Sequence, residues 1–356
     1  MAGTLKEFGV GACFGSALLA SGVYAPTVII SQMHLSDFHM FKSMLAASAI
    51  SALVVNVAHG SGWAEKKGRT PSTLALFPYA GNILGGAMVG AGMALTGACP
   101  GTVLVQVALG TRNGLFIGLG GLLGGITYAV LAGHFSDKRE TTIAKQSPAE
   151  PVQLSSKPIK KHTLEDVLGV RPWTILSVFE AMILLVLSLS IRFEPHGRSQ
   201  QAGLVSPLMG GFLIGMAQLM SMVVSRHTIG VSTAYEDVAR WLGRLAKHDT
   251  QISPKSALRQ LFSPAVVFVI GILAGAGTLA RSPLLAPLTT AAVNTPATDQ
   301  ISHLTAILGG TVMVLGARIA GGCTSGHGIS GMATFSISSF VTVAAMFAGG
   351  IATAMI

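Results

Sequence analysis

In this chain of 356 residues, half of the side chains are hydrophobic, 10% carry a charge and the mean hydropathy is +0.62, whereas a soluble domain carries about 25% charged residues. Such a composition excludes a soluble enzyme and assigns the chain to a lipid bilayer. The formal net charge of +9 follows from where the loops lie, so nucleic acid is not an expected partner.

Hydrophobic runs predict about nine spans, near residues 7 to 21, 42 to 58, 76 to 97, 114 to 133, 173 to 191, 207 to 224, 264 to 280, 304 to 321 and 336 to 356. Several sit at the short end of the roughly 17 to 25 residues that cross a bilayer, which points to interrupted or re-entrant helices. The first run has no basic leader and is read as part of the mature protein. The 44 glycines suit membrane helices that pack backbone to backbone. The expected class is therefore an all-α integral membrane protein.

Most of the basic residues fall in three connections. Lys66, Lys67 and Arg69 follow the second span, Lys138 to Arg171 the fourth, and Arg226 to Arg259 the sixth. An even number of spans separates these connections, so one side of the membrane can hold them all, and by the positive-inside rule that side is cytoplasmic. The expected location is the cell membrane. Residues 136–172, rich in Pro, Ser, Lys and Glu, read as a flexible cytoplasmic linker between a first half, 1–135, and a second, 173–356. From His227 onward, Ala234, Val238, Trp241, Leu242 and Leu245 recur at helical spacing opposite Glu236, Asp237, Arg240 and Arg244. That pattern predicts an amphipathic helix lying on the inner surface.

The two halves share a segment. ILGGAMVGAGMALTGACPGT from Ile83 and ILGGTVMVLGARIAGGCTSG from Ile307 align without a gap, and Cys99 falls on Cys323, 224 positions later. Four spans lie between the copies, so they run in opposite senses. This is the arrangement of inverted-repeat transporters whose broken helices meet at a central site. A weaker echo links GACFGSALLAS from Gly11 to the segment from Gly211, with Leu213 where Cys13 stands.

The chemistry of the cysteine segments is suited to an anion. Cys99 precedes Pro-Gly-Thr102, and proline fits the first turn of a helix; Cys323 precedes Thr-Ser325-Gly-His327, whose hydroxyls can cap. Helix starts present unpaired N–H groups and the positive end of the helix dipole. A neutral thiol is a weak donor and a polarizable contact, able to meet the soft sulfur end of an anion without trapping it, whereas a thiolate would repel it. Weak, replaceable contacts are what conduction requires. Three cysteines without close spacing argue against a closed zinc site or a disulfide framework.

These strings carry a resemblance. LTGACPGTVLVQVALGTRNG and GARIAGGCTSGHGISG, with the early VGACFGSALLASGVYAPTVI, resemble the YeeE/YedE family of sulfur-transport membrane proteins over roughly Phe8 to Gly133 and Pro207 to the C-terminus. The resemblance implies uptake of thiosulfate, an hourglass of helices around a constricted centre, and Cys13, Cys99 and Cys323 as pathway thiols. It also implies a small cytoplasmic sulfur-carrier protein as a partner.

Further polar residues are candidates for binding the anion. Arg318 lies inside a span, where an ionisable group attracts a substrate or pairs with a carboxylate or carbonyl. Arg112 sits at a span end and can snorkel to the interface. Thr102, Gln106, Asn113, Ser325 and His327 flank the cysteine segments, and Glu180 has no evident partner. No P-loop pattern is present and no cofactor is implied. The alternatives are a membrane sulfurtransferase or thiol redox enzyme working covalently through Cys99 or Cys323, and a selenium-related transporter of the same architecture.

Overall fold

The computed structural model describes residues 2–66, 68–74, 77–144, 162–193, 203–246, 262–282 and 301–356, and the described residues are helical almost throughout. The helices are α1 (Ala2–Ser21), α2 (Pro26–Met33), α3 (His39–Gly60), α4 (Ala80–Thr96), α5 (Thr102–Leu109), α6 (Gly114–Ala144), α7 (Leu164–Leu168), α8 (Pro172–Arg192), α9 (Pro207–Val224), α10 (Ser232–Ala246), α11 (Pro264–Ala280), α12 (His303–Ala320) and α13 (Ile337–Ala354), with a wide π-type turn at Ser325–Gly331.

Six of these, α3, α6, α8, α9, α12 and α13, are long and apolar enough to cross a membrane. The pair α1–α2, bent by 68°, makes a seventh if it counts as one span, while α4 and α11 are shorter apolar helices. Each of the nine expected spans thus coincides with a helix, although length alone qualifies fewer. The outer faces are greasy. On α8, Ile175, Phe179, Ile183 and Leu187 form a buried stripe at four-residue spacing, while Val178, Leu184, Leu185 and Ile191 stay exposed. A helix apolar on both faces belongs in lipid.

Close helix pairs join one half of the sequence to the other. A Cβ added at Gly11 would meet the Phe268 carbonyl at 2.1 Å and one at Gly15 the Ile272 carbonyl at 2.3 Å, so α1 and α11 run parallel in backbone contact. Their counterparts Gly211 and Gly215 would meet the Ser43 carbonyl and Ile50 side chain of α3, each at 2.5 Å. The same exchange occurs at the centre. Gly86 and Gly90 of α4 abut Thr342 and Met346 of α13, and Gly120 and Gly124 of α6 abut Ile307 and Thr311 of α12. The two cysteine-bearing helices cross antiparallel between these pairs, Gly85 against Gly316 and Ala320, Gly92 against Gly309 and Met313. Small residues let backbones approach this closely where lipid supplies no hydrophobic drive.

Two expectations change. Helix α6 continues through Ala144, so residues 136–144 of the expected linker are helical. At its other end, the linker docks on the core: Thr163 bridges to Ser336, the Leu164 N–H donates to Phe335 O at 2.9 Å, and Lys66 pairs with Glu165. Burial holds the Lys66 ammonium below its usual range, and the Glu165 carboxylate opposes that shift. Residues 145–161, with most of the linker's lysines, lie outside the described residues.

The second change concerns α10. It packs against α6, α11 and α12, and its buried face carries Ala234, Tyr235, Glu236 and Ala239. Glu236, expected on the solvated face, points inward because Arg318 of α12 provides an ion-pair partner there. An amphipathic pattern identified the helix, but the buried pair inverted the side it presents.

Candidate functional site

Helix α4 ends at Gly97, whose left-handed φ of 62° closes the helix where an L side chain would be strained. A Cβ there would also strike Pro26 at 2.7 Å. Gln106 of α5 reaches back to this break, its Nε2 donating to Gly97 O at 3.1 Å and to Tyr24 O at 2.8 Å. One amide therefore satisfies the loose carbonyls of two broken helices, as backbone at membrane depth requires. Cys99 follows, and Thr102 folds over it: the Thr102 N–H and hydroxyl each lie 3.4 Å from Cys99 Sγ, while the Cys99 N–H donates to Thr102 Oγ1 at 2.7 Å.

The second copy repeats the plan with different groups. Helix α12 ends at Gly321, φ 81°, and the equivalent carbonyl accepts from Arg69 Nη1 at 2.9 Å. Cys323 Sγ lies 3.3 Å from Ser325 Oγ, and the N–H groups of Gly326, Val231 and Ser232 face the sulfur. Val231 and Ser232 are the entry to α10, so the start of that helix is aimed at the Cys323 thiol.

The same helix start lies between the two cysteines. A Cβ on Gly101 would sit 3.9 Å from Cys99 Sγ and 3.7 Å from the Val231 side chain, while Tyr235 Oη donates to Pro100 O at 2.9 Å. Cys99, Val103, Val231, Tyr235, Ile329 and Cys323 share one buried apolar cluster. Cysteines distant in the sequence are thus gathered around one helix end. Both are free thiols, as is Cys13, which is exposed on α1.

Thr102 and Ser325 touch the sulfurs; the other candidates are placed differently. His327 is held through both ring nitrogens, Nδ1 at 3.0 Å from Ser339 Oγ and Nε2 at 3.2 Å from Ala320 O. Nε2 donates to that carbonyl, and both ring nitrogens are occupied by protein groups. Asn113 joins the α5–α6 turn to Ile301 and His303, and Arg112 is exposed. Arg318 pairs with Glu236 and lies 5.4 Å over the Tyr128 ring, which realises the pairing alternative. Glu180 keeps a buried oxygen without a hydrogen-bond partner.

Sequence reasoning missed Arg69, Tyr235 and the Val231–Ser232 amides. Arg69 stands in the linear pattern as one of the cytoplasmic charges, and nothing in that pattern reports backbone amides. It also missed Gln218 of α9, fully buried, whose Oε1 accepts from Ser330 Oγ at 2.9 Å and Ile229 N–H at 3.3 Å.

Lipid-facing helices around a core of free thiols, reached by broken helices and a helix start, define an integral membrane transport protein. The chain belongs to the Sulphur transport family, which it matches over residues 20–352. It is 24% identical over 346 residues to the thiosulfate transporter TsuA of Spirochaeta thermophila, covering 93% of this chain and 92% of that protein. Two proteins of Xylella fastidiosa described as probable transporters are 29% and 31% identical over 148 and 157 residues. Each match covers 42% of this chain and 90% of the relative.

Proposed function

We propose that this protein carries thiosulfate, or a closely related sulfur anion, across the cell membrane by non-covalent passage past its thiols. The observation that supports this reading best is the convergence of Cys99, Cys323 and the start of α10. Amide N–H groups and hydroxyls supply hydrogen bonds for the oxyanion end, and two soft sulfurs meet the sulfane end. Cys13 is the third thiol by resemblance to the family. The similarity to TsuA over nearly the whole chain supports thiosulfate as the substrate.

The architecture in this reading is two inverted repeats, 1–135 and 173–356, joined by the linker and forming about nine spans with re-entrant helices in an hourglass. Exchange of parallel partners between the halves supports it, as do Xylella relatives matched along most of their length by less than half of this chain. The basic connections face the cytoplasm, where a small sulfur-carrier protein receives the sulfur. The test is uptake of radiolabelled thiosulfate into vesicles containing only this protein, with sulfate and selenite as competitors. Saturable uptake, reduced little by sulfate, is expected. No uptake, or a stable persulfide on Cys99 or Cys323 by mass spectrometry, would replace transport with sulfur transfer.

A further inference from the structure

Arg69 borders a cavity of about 250 Å³ together with Glu7, His227, Thr228, Gly230 and Thr233. Its guanidinium lies against the glycines on both sides of Cys323. A Cβ on Gly322 would meet Nη1 at 2.7 Å, and one on Gly326 would meet Nη2 at 3.0 Å. The group therefore lies between the cavity and the thiol loop.

Only the bond from Nη1 to Gly321 O, at 2.9 Å, uses a guanidinium N–H among the described residues. No carboxylate among those residues forms an ion pair with Arg69. Glu7, the acid in the same cavity, is instead 3.1 Å from His227 Nε2. In the other half, a neutral amide caps the equivalent carbonyl, Gln106 on Gly97 O. Capping thus needs no charge, and the half-exposed guanidinium keeps N–H groups that an anion entering the cavity can meet. The glycines that admit the guanidinium also leave it close to Cys323.

We infer that this cavity is an oxyanion station in which Arg69 holds the sulfonate oxygens of the substrate one step from Cys323, which lies beyond the guanidinium. The inference rests on the thiosulfate reading and adds the residue that orients the ion. A planar guanidinium matches two oxygens of a tetrahedral oxyanion, and the thiol beyond it meets the sulfane atom at the next step. Sulfate can occupy the Arg69 side of the station but offers nothing soft to the thiol.

The test is thiosulfate uptake by vesicles containing the full chain with Arg69→Gln, Arg69→Lys or Thr233→Glu, each first shown monodisperse in detergent. Arg69→Gln copies the cap of the other half and should raise KM by about 10- to 100-fold, the range for losing a charge-assisted hydrogen bond. Arg69→Lys should fall between it and the wild type. Thr233 is exposed in the cavity wall, so Thr233→Glu should weaken uptake by placing a carboxylate in the station without removing a packed side chain. Wild-type KM in folded Arg69→Gln, or in Thr233→Glu where Arg69→Gln does not fold, would overturn the inference and leave the thiosulfate reading standing. Absence of uptake by the wild type would remove that reading and the inference with it.

Discussion

The Cys99 and Cys323 segments share a helix, a left-handed glycine and a cysteine, but they differ in what has been brought to them. Around Cys99 the partners are local: Thr102 lies on the sulfur, and Gln106 closes the helix end from one turn beyond. Around Cys323 the local Ser325 hydroxyl is joined by partners from far away, Arg69 from the connection after α3 and the Val231–Ser232 amides from the start of α10. The repeated sequence builds the scaffold, and the unrepeated connections make its two ends chemically unequal. On the proposed passage past both thiols, the anion would meet different partners at each.

The largest effect should come from the thiols themselves. Cys99→Ala and Cys323→Ala should each lower thiosulfate uptake to background while the protein stays folded, since a lost thiol in a small-residue segment leaves little cavity. Serine keeps a donor but lacks the polarizable sulfur, so Cys99→Ser and Cys323→Ser should restore uptake only in part. Normal transport by well-folded alanine variants would reduce both segments to packing and end the comparison.

Next in size is the ion pair behind the Cys323 helix. Arg318 and Glu236 are both largely withdrawn from water, with side-chain exposures of 13% and 8%. Removing one charge of such a pair strands the other, at a cost of about 3 kcal/mol. Glu236→Gln should therefore lower the thermal midpoint in detergent clearly. Arg240, the exposed partner of the same carboxylate, should matter little, and Arg240→Ala should shift stability by no more than about 0.5 kcal/mol. The reverse order would show that α10 is held by its surface.

These contrasts also mark how far the sequence can be read. Hydrophobic runs located the helices, and the gapless repeat singled out Cys99 and Cys323, because both leave a continuous trace in the chain. The many glycines announced close helix packing but not which helices cross. Arg69 and α10 were harder to read. A cation in a basic loop looks like topology, and a helix with alternating charge looks solvated until a buried Arg318 turns Glu236 inward. The side-chain pattern carries no record of the Val231 and Ser232 amides, since every residue there but proline would supply them.

The smallest of the expected effects belongs to Cys13. It has no counterpart in the second half, where Leu213 occupies the related place, and it is exposed on α1 and absent from the buried cluster around the other two thiols. Cys13→Ala should thus leave stability unchanged and leave more residual uptake than Cys99→Ala or Cys323→Ala. In the double variant lacking Cys99 and Cys323, a charged methanethiosulfonate should label Cys13 if it lines an aqueous entrance, and excess thiosulfate should slow the labelling. Reaction with a lipid-soluble maleimide alone, with full uptake by Cys13→Ala, would place the thiol against lipid and confine the pathway to the repeat-related pair.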